Sequence, residues 1–246
     1  MAGRQLLASS SFSLWGAHLP PHDHPSSARI ARQLGVDPGS WARGCAQRPR
    51  LTTYLVKARS ARPMVIVLPG GGYMFLSIAR EGVDVCSWLN AADIHCAILE
   101  YRVLRAHPGP LLDARRAIQF VRNQSTTWAV DPNCILTLGF SAGGHLSGHV
   151  ALSWNAAVGR RVDEKLQLMG DQLSTISARP DAAILAYPVV SARNDSIGVV
   201  GVAPHTCATY LCVGRARRGE GRPVRHHGSI ELLLGARLGN DLAEAS

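Results

Sequence analysis

The sequence predicts an α/β fold with a mostly parallel central sheet, and three observations support this class. Short apolar runs with few charged residues alternate with amphipathic stretches, as expected for buried parallel strands that helices connect. A Gly-x-Ser-x-Gly motif at 139–143 lies between an apolar run and a stretch of small residues. A glycine triplet at 70–72 directly follows an earlier apolar run. At 246 residues, the chain is long enough for one such domain with a sizeable core.

The first predicted strands lead into a glycine-rich loop. Residues 51–56 predict a first strand, and the apolar run at 64–68 predicts a buried second one. The second strand continues directly into Pro69 and the triplet at 70–72, whose backbone N–H groups have no side chains to shield them. A ligand can therefore approach these groups closely, so we interpret the loop as a source of oxyanion donors. An ordinary turn is the alternative interpretation.

The next segments continue the alternation of helix and strand. Residues 78–91 predict a helix with an apolar face, and residues 94–99 and 182–187 predict strands that are covered on both faces. Residues 111–128 are the clearest helix, because their apolar side chains recur at helical spacing. The polar side chains of this helix are expected to face solvent: Asp113, Arg115, Arg116, Gln119 and Arg122.

The Gly-x-Ser-x-Gly motif centres on Ser141. Residues 134–138 predict a strand and residues 143–152 a helix, so Ser141 stands at a sharp turn between them. Glycines two positions to either side leave room for such a turn. The turn would present the serine hydroxyl at the carboxyl end of a strand and at a helix N-terminus, where a nucleophile and a developing negative charge are both favoured. The alternative is that this sharp turn serves packing alone.

Together these motifs resemble the α/β-hydrolase fold family, and specifically its acetylesterase-like and hormone-sensitive-lipase-like branch with its carbohydrate-esterase relatives. The segments that carry the resemblance are PGGGY at 69–73, Glu81-Gly82, Trp88-Leu89, Tyr101-Arg102, HPGPLLDARRAIQFVR at 107–122, Asp131-Pro132, GFSAGGH at 139–145 and LAYPVVS at 185–191. The resemblance covers about residues 52–191 and returns weakly at 226–235. It implies a three-layer α/β sandwich with a mostly parallel central sheet.

The resemblance also implies a chemistry, namely hydrolysis of carboxylic esters through an acyl-Ser141 intermediate. The implied oxyanion donors are the backbone N–H groups of Gly71, Gly72 and Ala142. Tyr73 is expected to line the substrate pocket, with a role in the core as the alternative. The substrate would be a small-molecule ester, and short acyl esters, acetylated sugars and xenobiotic esters all fit. No metal and no organic cofactor is implied.

The carboxyl-terminal part of the chain departs from the family's pattern. We divide the chain into an irregular N-terminal extension at 1–48, the hydrolase core at 49–191, and an atypical insertion with a truncated cap segment at 192–246. Residues 192–225 match nothing expected, so they are either a cap insertion or the translation of sequence that is not normally coding. Because the family's last two strands have no equivalent, we expect a C-terminally truncated sheet with an unpaired apolar edge and marginal stability.

The missing strands would carry the acid and the histidine of the catalytic triad, which follow the serine in this fold. His145 and His149 lie on the helix that follows Ser141, where neither is expected to act as the base. The candidates beyond that helix are Asp195, His205, His226, His227 and Asp241. None follows a predicted strand that would return it to Ser141. A serine without its histidine is a weak nucleophile at neutral pH, so we expect impaired turnover. The alternative is a non-catalytic hydrolase-fold protein, or fragment, that binds or interacts without turnover.

The charge of the chain raises the question of nucleic acid as a partner. The net charge is +9, but the arginines are scattered apart from the tract at 215–225, and no nucleic-acid-binding motif accompanies them. No apolar run is long enough to cross a bilayer. We therefore expect neither a nucleic-acid partner nor a membrane partner. The oligomeric state does not follow from the sequence.

Cysteine usage predicts the compartment. None of the six cysteines forms a C-x-x-C pair, and Cys96 and Cys134 lie inside predicted strands. We therefore expect buried thiols that behave as small hydrophobic side chains, as in a reducing compartment. The first 21 residues make a poor secretory signal, because they carry one arginine and a broken apolar stretch. These observations predict a cytoplasmic protein.

Overall fold

The structure is a computed structural model. It describes residues 9–15, 48–103, 109–152, 164–167, 169–188 and 208–212. Within these ranges the strands are β1 (Ser10–Ser13), β2 (Arg50–Tyr54), β3 (Arg62–Leu68), β4 (His95–Glu100), β5 (Val130–Phe140), β6 (Ala182–Ala186) and β7 (Ala208–Cys212). They form one sheet in the order β1-β2-β4-β3-β5-β6-β7.

Helices join the strands at the predicted places. They are α1 (Asp84–Ala91), which a π-helical turn (Ala79–Val83) precedes, α2 (Gly109–Asn123), α3 (Ser125–Trp128) and α4 (Ala142–Leu152). The predicted helix at 111–128 is therefore two helices. α1 packs on β4, whereas α2 and α4 pack on β5 and against each other. No helix among the described residues is both long and apolar enough to cross a bilayer.

The central strands are parallel, as predicted. β4, β3, β5, β6 and β7 run parallel, and β1 and β2 pair antiparallel at one edge. Leu68 at the end of β3 is in register with Gly139 on β5, and Phe140 is in register with Ala186 at the end of β6. These three strands therefore end at the same edge of the sheet. The register brings the glycine loop and the Ser141 turn together at that edge.

The prediction that residues 1–48 are irregular is wrong for the part that the structure describes. Residues 10–13 form β1, which pairs antiparallel with β2 and extends the sheet by one strand. Leu14 and Trp15 then bury their side chains in the core. The prediction failed because four residues are too few to show a strand period. Residues 1–8 and 16–47 lie outside the described part.

The prediction that the polar side chains of α2 face solvent is also wrong. Asp113, Arg115, Arg116 and Gln119 are all buried. Asp113 accepts hydrogen bonds from the Trp15 indole at 2.8 Å and from the Arg102 guanidinium at 2.6 to 3.0 Å. Burial, the largest cause, raises the pKa of Asp113, and Arg102 opposes that shift.

A second layer of chain covers this face of α2. Arg116 packs 5.4 Å from the centre of the Trp15 ring and forms an ion pair with Asp171. The Gln119 amide donates to the carbonyl oxygen of Ile176 at 2.9 Å. The helix period therefore identified the polar face correctly, but it could not show that distant segments bury that face in paired contacts.

The far edge of the sheet differs from the expected unpaired edge. β7 lies inside the atypical segment 192–225 and pairs in parallel with β6 over five residues. The backbone groups of β6 on that side are therefore hydrogen-bonded, and β7 is the edge strand among the described residues. The expected unpaired edge thus lies one strand further out than β6. The remainder of 192–246, including the arginine tract at 215–225, lies outside the described residues.

The expectation of free thiols is wrong for two cysteines. Cys86 on α1 and Cys96 on β4 form a disulfide, with Cα atoms 5.3 Å apart; the two residues are ten positions apart in sequence. Sequence gave no sign of this pairing, because only the packing of α1 on β4 brings the two residues together. The expectation of buried thiols was one ground for a cytoplasmic location. The disulfide removes that ground, and the location stays a prediction.

Candidate active site

Ser141 occupies the strained turn that the sequence predicts. It lies between β5 and α4 with φ of 50°, which is the left-handed region that residues other than glycine rarely adopt. Two backbone hydrogen bonds of 3.0 Å hold it there, from Ser141 N–H to Ala186 and from His145 N–H to Ser141. Strain of this kind costs roughly 1–3 kcal/mol, persists only where surrounding structure enforces it, and clusters at functional sites.

The glycine loop also has an unusual backbone. Gly71, Gly72 and Tyr73 have φ of 138°, 62° and 58°. The loop closes on itself through hydrogen bonds from Met74 N–H to Gly71 and from Ser77 N–H to Gly70, each 3.0 Å. A Cβ atom at Gly71 would lie 2.1 Å from the carbonyl oxygen of Phe75, so only glycine fits.

The loop and the turn at Ser141 are in contact. A Cβ atom at Gly70 would lie 2.8 Å from the carbonyl oxygen of Phe140 and 3.1 Å from the Cβ atom of Ser141. Three backbone N–H groups nearby, those of Gly71, Gly72 and Ala142, have no acceptor among the described residues. Ala142 is the first residue of α4, where backbone N–H groups lack partners within the helix and carry partial positive charge. Their role as oxyanion donors stays a prediction.

Two side chains that the sequence analysis gave no role hold the glycine loop. The buried Tyr101 hydroxyl donates to the carbonyl oxygen of Pro69 at 2.5 Å. Burial, the largest cause, raises the pKa of Tyr101 well above its ordinary value, so the hydroxyl stays protonated. One oxygen of Glu81 accepts the Gly70 N–H at 2.7 Å, and its other oxygen accepts the hydroxyl of Tyr187. Glu81 and Tyr101 belong to segments of the family resemblance, which was the only signal for them.

Tyr73 is half-buried and has a partner on α4. Its hydroxyl lies 2.8 Å from Nδ1 of His145, and its ring meets the Tyr101 ring edge to face at 6.0 Å. Tyr73 also packs against the hydrophobic core. The structure thus gives Tyr73 a core contact, whereas its predicted place in the substrate pocket stays a prediction.

The described residues supply no base to Ser141. None of them makes a hydrogen bond with the Ser141 hydroxyl. The downstream candidates all lie outside the described part of the chain: Asp195, His205, His226, His227 and Asp241. Within that part, no group of His, Cys, Asp and Glu side chains could hold a metal ion. Among the described residues, the site is therefore a serine beside three backbone N–H groups without an acceptor.

Comparison with known proteins finds one family model and several curated esterases similar to this chain. The sequence model of the BD-FAE family matches residues 51–191. An acetylxylan esterase from Xylanibacter ruminicola is 31% identical over 145 residues, which are 58% of this chain and 26% of that protein. Esterase LipC from Mycobacterium tuberculosis is 38% identical over 95 residues, 38% of this chain and 24% of that protein. The chain spans about a quarter of the length of these two relatives.

Solved structures share the fold. The acetyl ester-xyloside bifunctional hydrolase from Caldicellulosiruptor lactoaceticus is 35% identical, with a TM-score of 0.52 over 74% of this chain and 58% of that chain. MGS-M1, an α/β hydrolase enzyme from a Medee basin deep-sea metagenome library, is 26% identical, with a TM-score of 0.50 over 66% and 62%. These likenesses confirm the α/β-hydrolase fold. Because the family model matches more than half of the chain, the chain belongs to the BD-FAE family of α/β hydrolases.

Proposed function

We propose that this chain carries the site of a carboxylic-ester hydrolase that acts through an acyl-Ser141 intermediate. The observation that carries the proposal is the strained Ser141 turn, in contact with a glycine loop in which the N–H groups of Gly71 and Gly72 have no acceptor among the described residues. A strained nucleophile beside unpartnered donors is the arrangement that acyl transfer requires. The relatives named above are esterases, which supports the same chemistry.

The proposed reaction proceeds in two halves. The Ser141 oxygen attacks the ester carbonyl carbon while a base takes the serine proton, and the carbonyl electron pair moves onto its oxygen. The N–H groups of Gly71, Gly72 and Ala142 stabilise that oxyanion. Collapse of the intermediate expels the alcohol, which takes up the proton, and leaves acyl-Ser141. A water molecule then attacks the acyl carbon, releasing the carboxylic acid and restoring the serine.

The identity of the base decides the rate. In another serine hydrolase, loss of the histidine alone costs on the order of 10⁶ in turnover. Oxyanion donors and substrate binding still leave roughly 10³ to 10⁴ over water. We propose that this chain is impaired in turnover, because no described residue makes a hydrogen bond with the Ser141 hydroxyl. If a base is present, His205, His226 and His227 are the candidates.

Acetylated sugars are the proposed substrate class. The acetylxylan esterase and the acetyl ester-xyloside hydrolase to which the chain is similar are named for such substrates. Met74 and Tyr187 expose 43% and 48% of their surface, and both border the glycine loop or its partner Glu81. Large apolar side chains in such places suit contact with a sugar ring or a short acyl group.

The test is hydrolysis of p-nitrophenyl acetate by the 246-residue chain and by its Ser141→Ala variant. If the proposal holds, the parent exceeds the buffer rate and Ser141→Ala loses that excess, because no acyl-enzyme forms. Ser60→Ala is the matched control, since Ser60 is exposed in the turn before β3. Equal rates for the parent and Ser141→Ala, with both folded by circular dichroism, would refute ester hydrolysis at Ser141.

A non-catalytic binding protein is the second candidate. It is favoured by one observation, the lack of a described partner for the Ser141 hydroxyl. Calorimetric titration of both proteins with an acetylated xylo-oligosaccharide separates the two candidates. Binding that survives Ser141→Ala, in a chain without turnover, supports the binding protein. If the chain shows no binding and no turnover, both proposals are refuted.

A further inference from the structure

We propose that Glu81 is a positioning residue that joins the glycine loop to the end of β6 across Ser141. Its effect on ester turnover rests on the function proposed above, whereas its effect on the loop does not. One carboxylate oxygen accepts the Gly70 N–H and the other accepts the Tyr187 hydroxyl. A single side chain thereby connects the segments that follow β3 and β6.

The strand order shows that this connection crosses the strand that leads to Ser141. β5 lies between β3 and β6, and Ser141 follows β5 directly. Glu81 therefore spans the strand that presents the nucleophile. A Cβ atom at Gly70 would lie 3.0 Å from Glu81 Oε2 and 3.1 Å from the Ser141 Cβ atom, so the carboxylate and the serine meet the same loop residue.

The segment that carries Glu81 suits this task. Glu81 lies in the π-helical turn Ala79–Val83, a rare geometry that is often found at functional sites. Its N–H donates to the carbonyl oxygen of Ser77 at 3.0 Å. A Cβ atom at Gly82 would lie 3.1 Å from Cδ1 of Ile98, so the turn sits closely on β4. The hydrogen bond to Ser77 and the close packing of Gly82 on β4 thus hold the backbone of Glu81 in place.

The two segments that Glu81 joins need an external constraint. Tyr73 in the glycine loop has φ of 58°, and Tyr187 after β6 has φ of 35°. Such backbone conformations persist only where surrounding contacts enforce them. By accepting the Gly70 N–H, Glu81 also removes that group from the set of possible oxyanion donors. The loop then presents the N–H groups of Gly71 and Gly72 instead.

A carboxylate fits both contacts better than its amide does. Two anionic oxygens can each accept one donor, and the 2.7 Å bond from Gly70 has the length of a charge-assisted hydrogen bond. In Glu81→Gln the amide oxygen can still accept from Gly70, while the amide nitrogen can donate to Tyr187 if that hydroxyl turns. Glu81→Gln is therefore the conservative variant, and Glu81→Ala removes both contacts.

The first measurement is amide hydrogen exchange of residues 69–76 in the full chain, which requires no activity. We expect Glu81→Ala to speed exchange at Gly70 roughly 10- to 100-fold, because a charge-assisted hydrogen bond is lost. Asp84→Ala, which removes an exposed carboxylate directly after the same turn, is the matched control and should leave that exchange unchanged. Unchanged Gly70 exchange in folded Glu81→Ala would overturn the proposal.

The second measurement is steady-state hydrolysis of p-nitrophenyl acetate. We expect Glu81→Ala to lower kcat roughly 10- to 100-fold with little change in KM, because displaced N–H groups act on the transition state. Glu81→Gln should recover part of that loss. If Glu81→Ala speeds exchange at Gly70 but leaves kcat unchanged, or if it raises KM alone, the positioning role is overturned.

The two measurements keep this inference separate from the proposed function. If the parent chain lacks turnover, ester hydrolysis fails, and the exchange measurement still decides whether Glu81 holds the loop. If Glu81→Ala does not fold, Tyr187→Phe replaces it, because it deletes only the hydroxyl that donates to Glu81. Tyr187→Phe should raise Gly70 exchange less than tenfold but above the Asp84→Ala value. If Gly70 exchanges at the same rate in Tyr187→Phe as in Asp84→Ala, the proposed connection across Ser141 is overturned.

Discussion

Glycine is required beside Ser141 because of atomic contacts as well as backbone angles. A Cβ atom at Gly139 would lie 2.0 Å from the carbonyl oxygen of Gly143, and one at Gly143 would lie 1.9 Å from that of Leu68. Both neighbours are backbone atoms, which cannot turn aside as a flexible side chain can. The two glycines of the motif thus let β5, α4 and the end of β3 approach closely enough for the loop to reach Ser141.

The first prediction concerns Gly143→Ala. It should lower the free energy of unfolding by about 3 kcal/mol or more, because the added methyl overlaps the backbone of Leu68. The matched control is Gly170→Ala, where φ is 63° but no atom lies within 4 Å of the new Cβ. That variant should lose about 1 kcal/mol from backbone strain alone. Urea denaturation measures both, and equal losses would contradict the contact argument.

At the scale of elements, buried polar side chains tie neighbouring segments together. His95, the first residue of β4, is fully buried. Its Nδ1 accepts the Val56 N–H at 3.0 Å, and its Nε2 lies 3.2 Å from the carbonyl oxygen of Ala129. Only a neutral ring with its proton on Nε2 satisfies both contacts. His95 thus joins the chain after β2 to the turn before β5.

The second prediction is a loss of stability in mild acid. Burial, the largest cause, lowers the pKa of His95 below its ordinary value of 6.5. The unfolded chain therefore binds the proton first, and the stability that the neutral ring contributes is complete above about pH 6.5 and falls as the pH drops towards the folded-state pKa. Urea denaturation between pH 7.5 and 5.5 should show a steeper loss for the parent than for His95→Gln. Parallel slopes would show that His95 does not titrate with unfolding.

At the scale of the whole molecule, the amino-terminal segment 9–15 belongs to the hydrolase core. Its strand β1 extends the sheet, and Trp15 inserts among the buried charges of α2. The indole N–H donates to Asp113, and the guanidinium groups of Arg102 and Arg116 lie 5.7 and 5.4 Å from the ring centre. One aromatic ring thereby covers three buried charged groups.

The third prediction tests the contribution of the Trp15 side chain to stability. Trp15→Ala should lower the free energy of unfolding by about 3–5 kcal/mol, because it opens a cavity and leaves Asp113 short of a donor. Trp15→Phe should cost less, since it keeps one aromatic ring in the core while it loses the hydrogen bond and part of the buried volume. Trp88→Ala is the matched control, because Trp88 is 40% exposed and should cost less than about 1 kcal/mol. Similar losses for Trp15→Ala and Trp88→Ala would place segment 9–15 outside the core.

The sequence by itself determined the alternation of strands and helices, the Ser141 turn and the glycine loop. These features depend on residues close together in the chain: the spacing of apolar side chains, and glycines where a Cβ atom has no room. They were sufficient for the α/β class and for the resemblance to a hydrolase family. They also identified Ser141, and the family resemblance added Gly71, Gly72 and Ala142 as oxyanion donors. The catalytic roles of all four residues stay predictions.

Only the tertiary structure decided which polar side chains are buried and what they hold. Trp15 and Asp113 lie 98 residues apart in sequence, and Glu81 and Tyr187 lie 106 apart. A local pattern assigns a polar side chain to solvent, because it carries no information about a distant segment that will cover it. The Cys86–Cys96 disulfide and the pairing of β7 with β6 depend in the same way on packing that no spacing along the chain encodes.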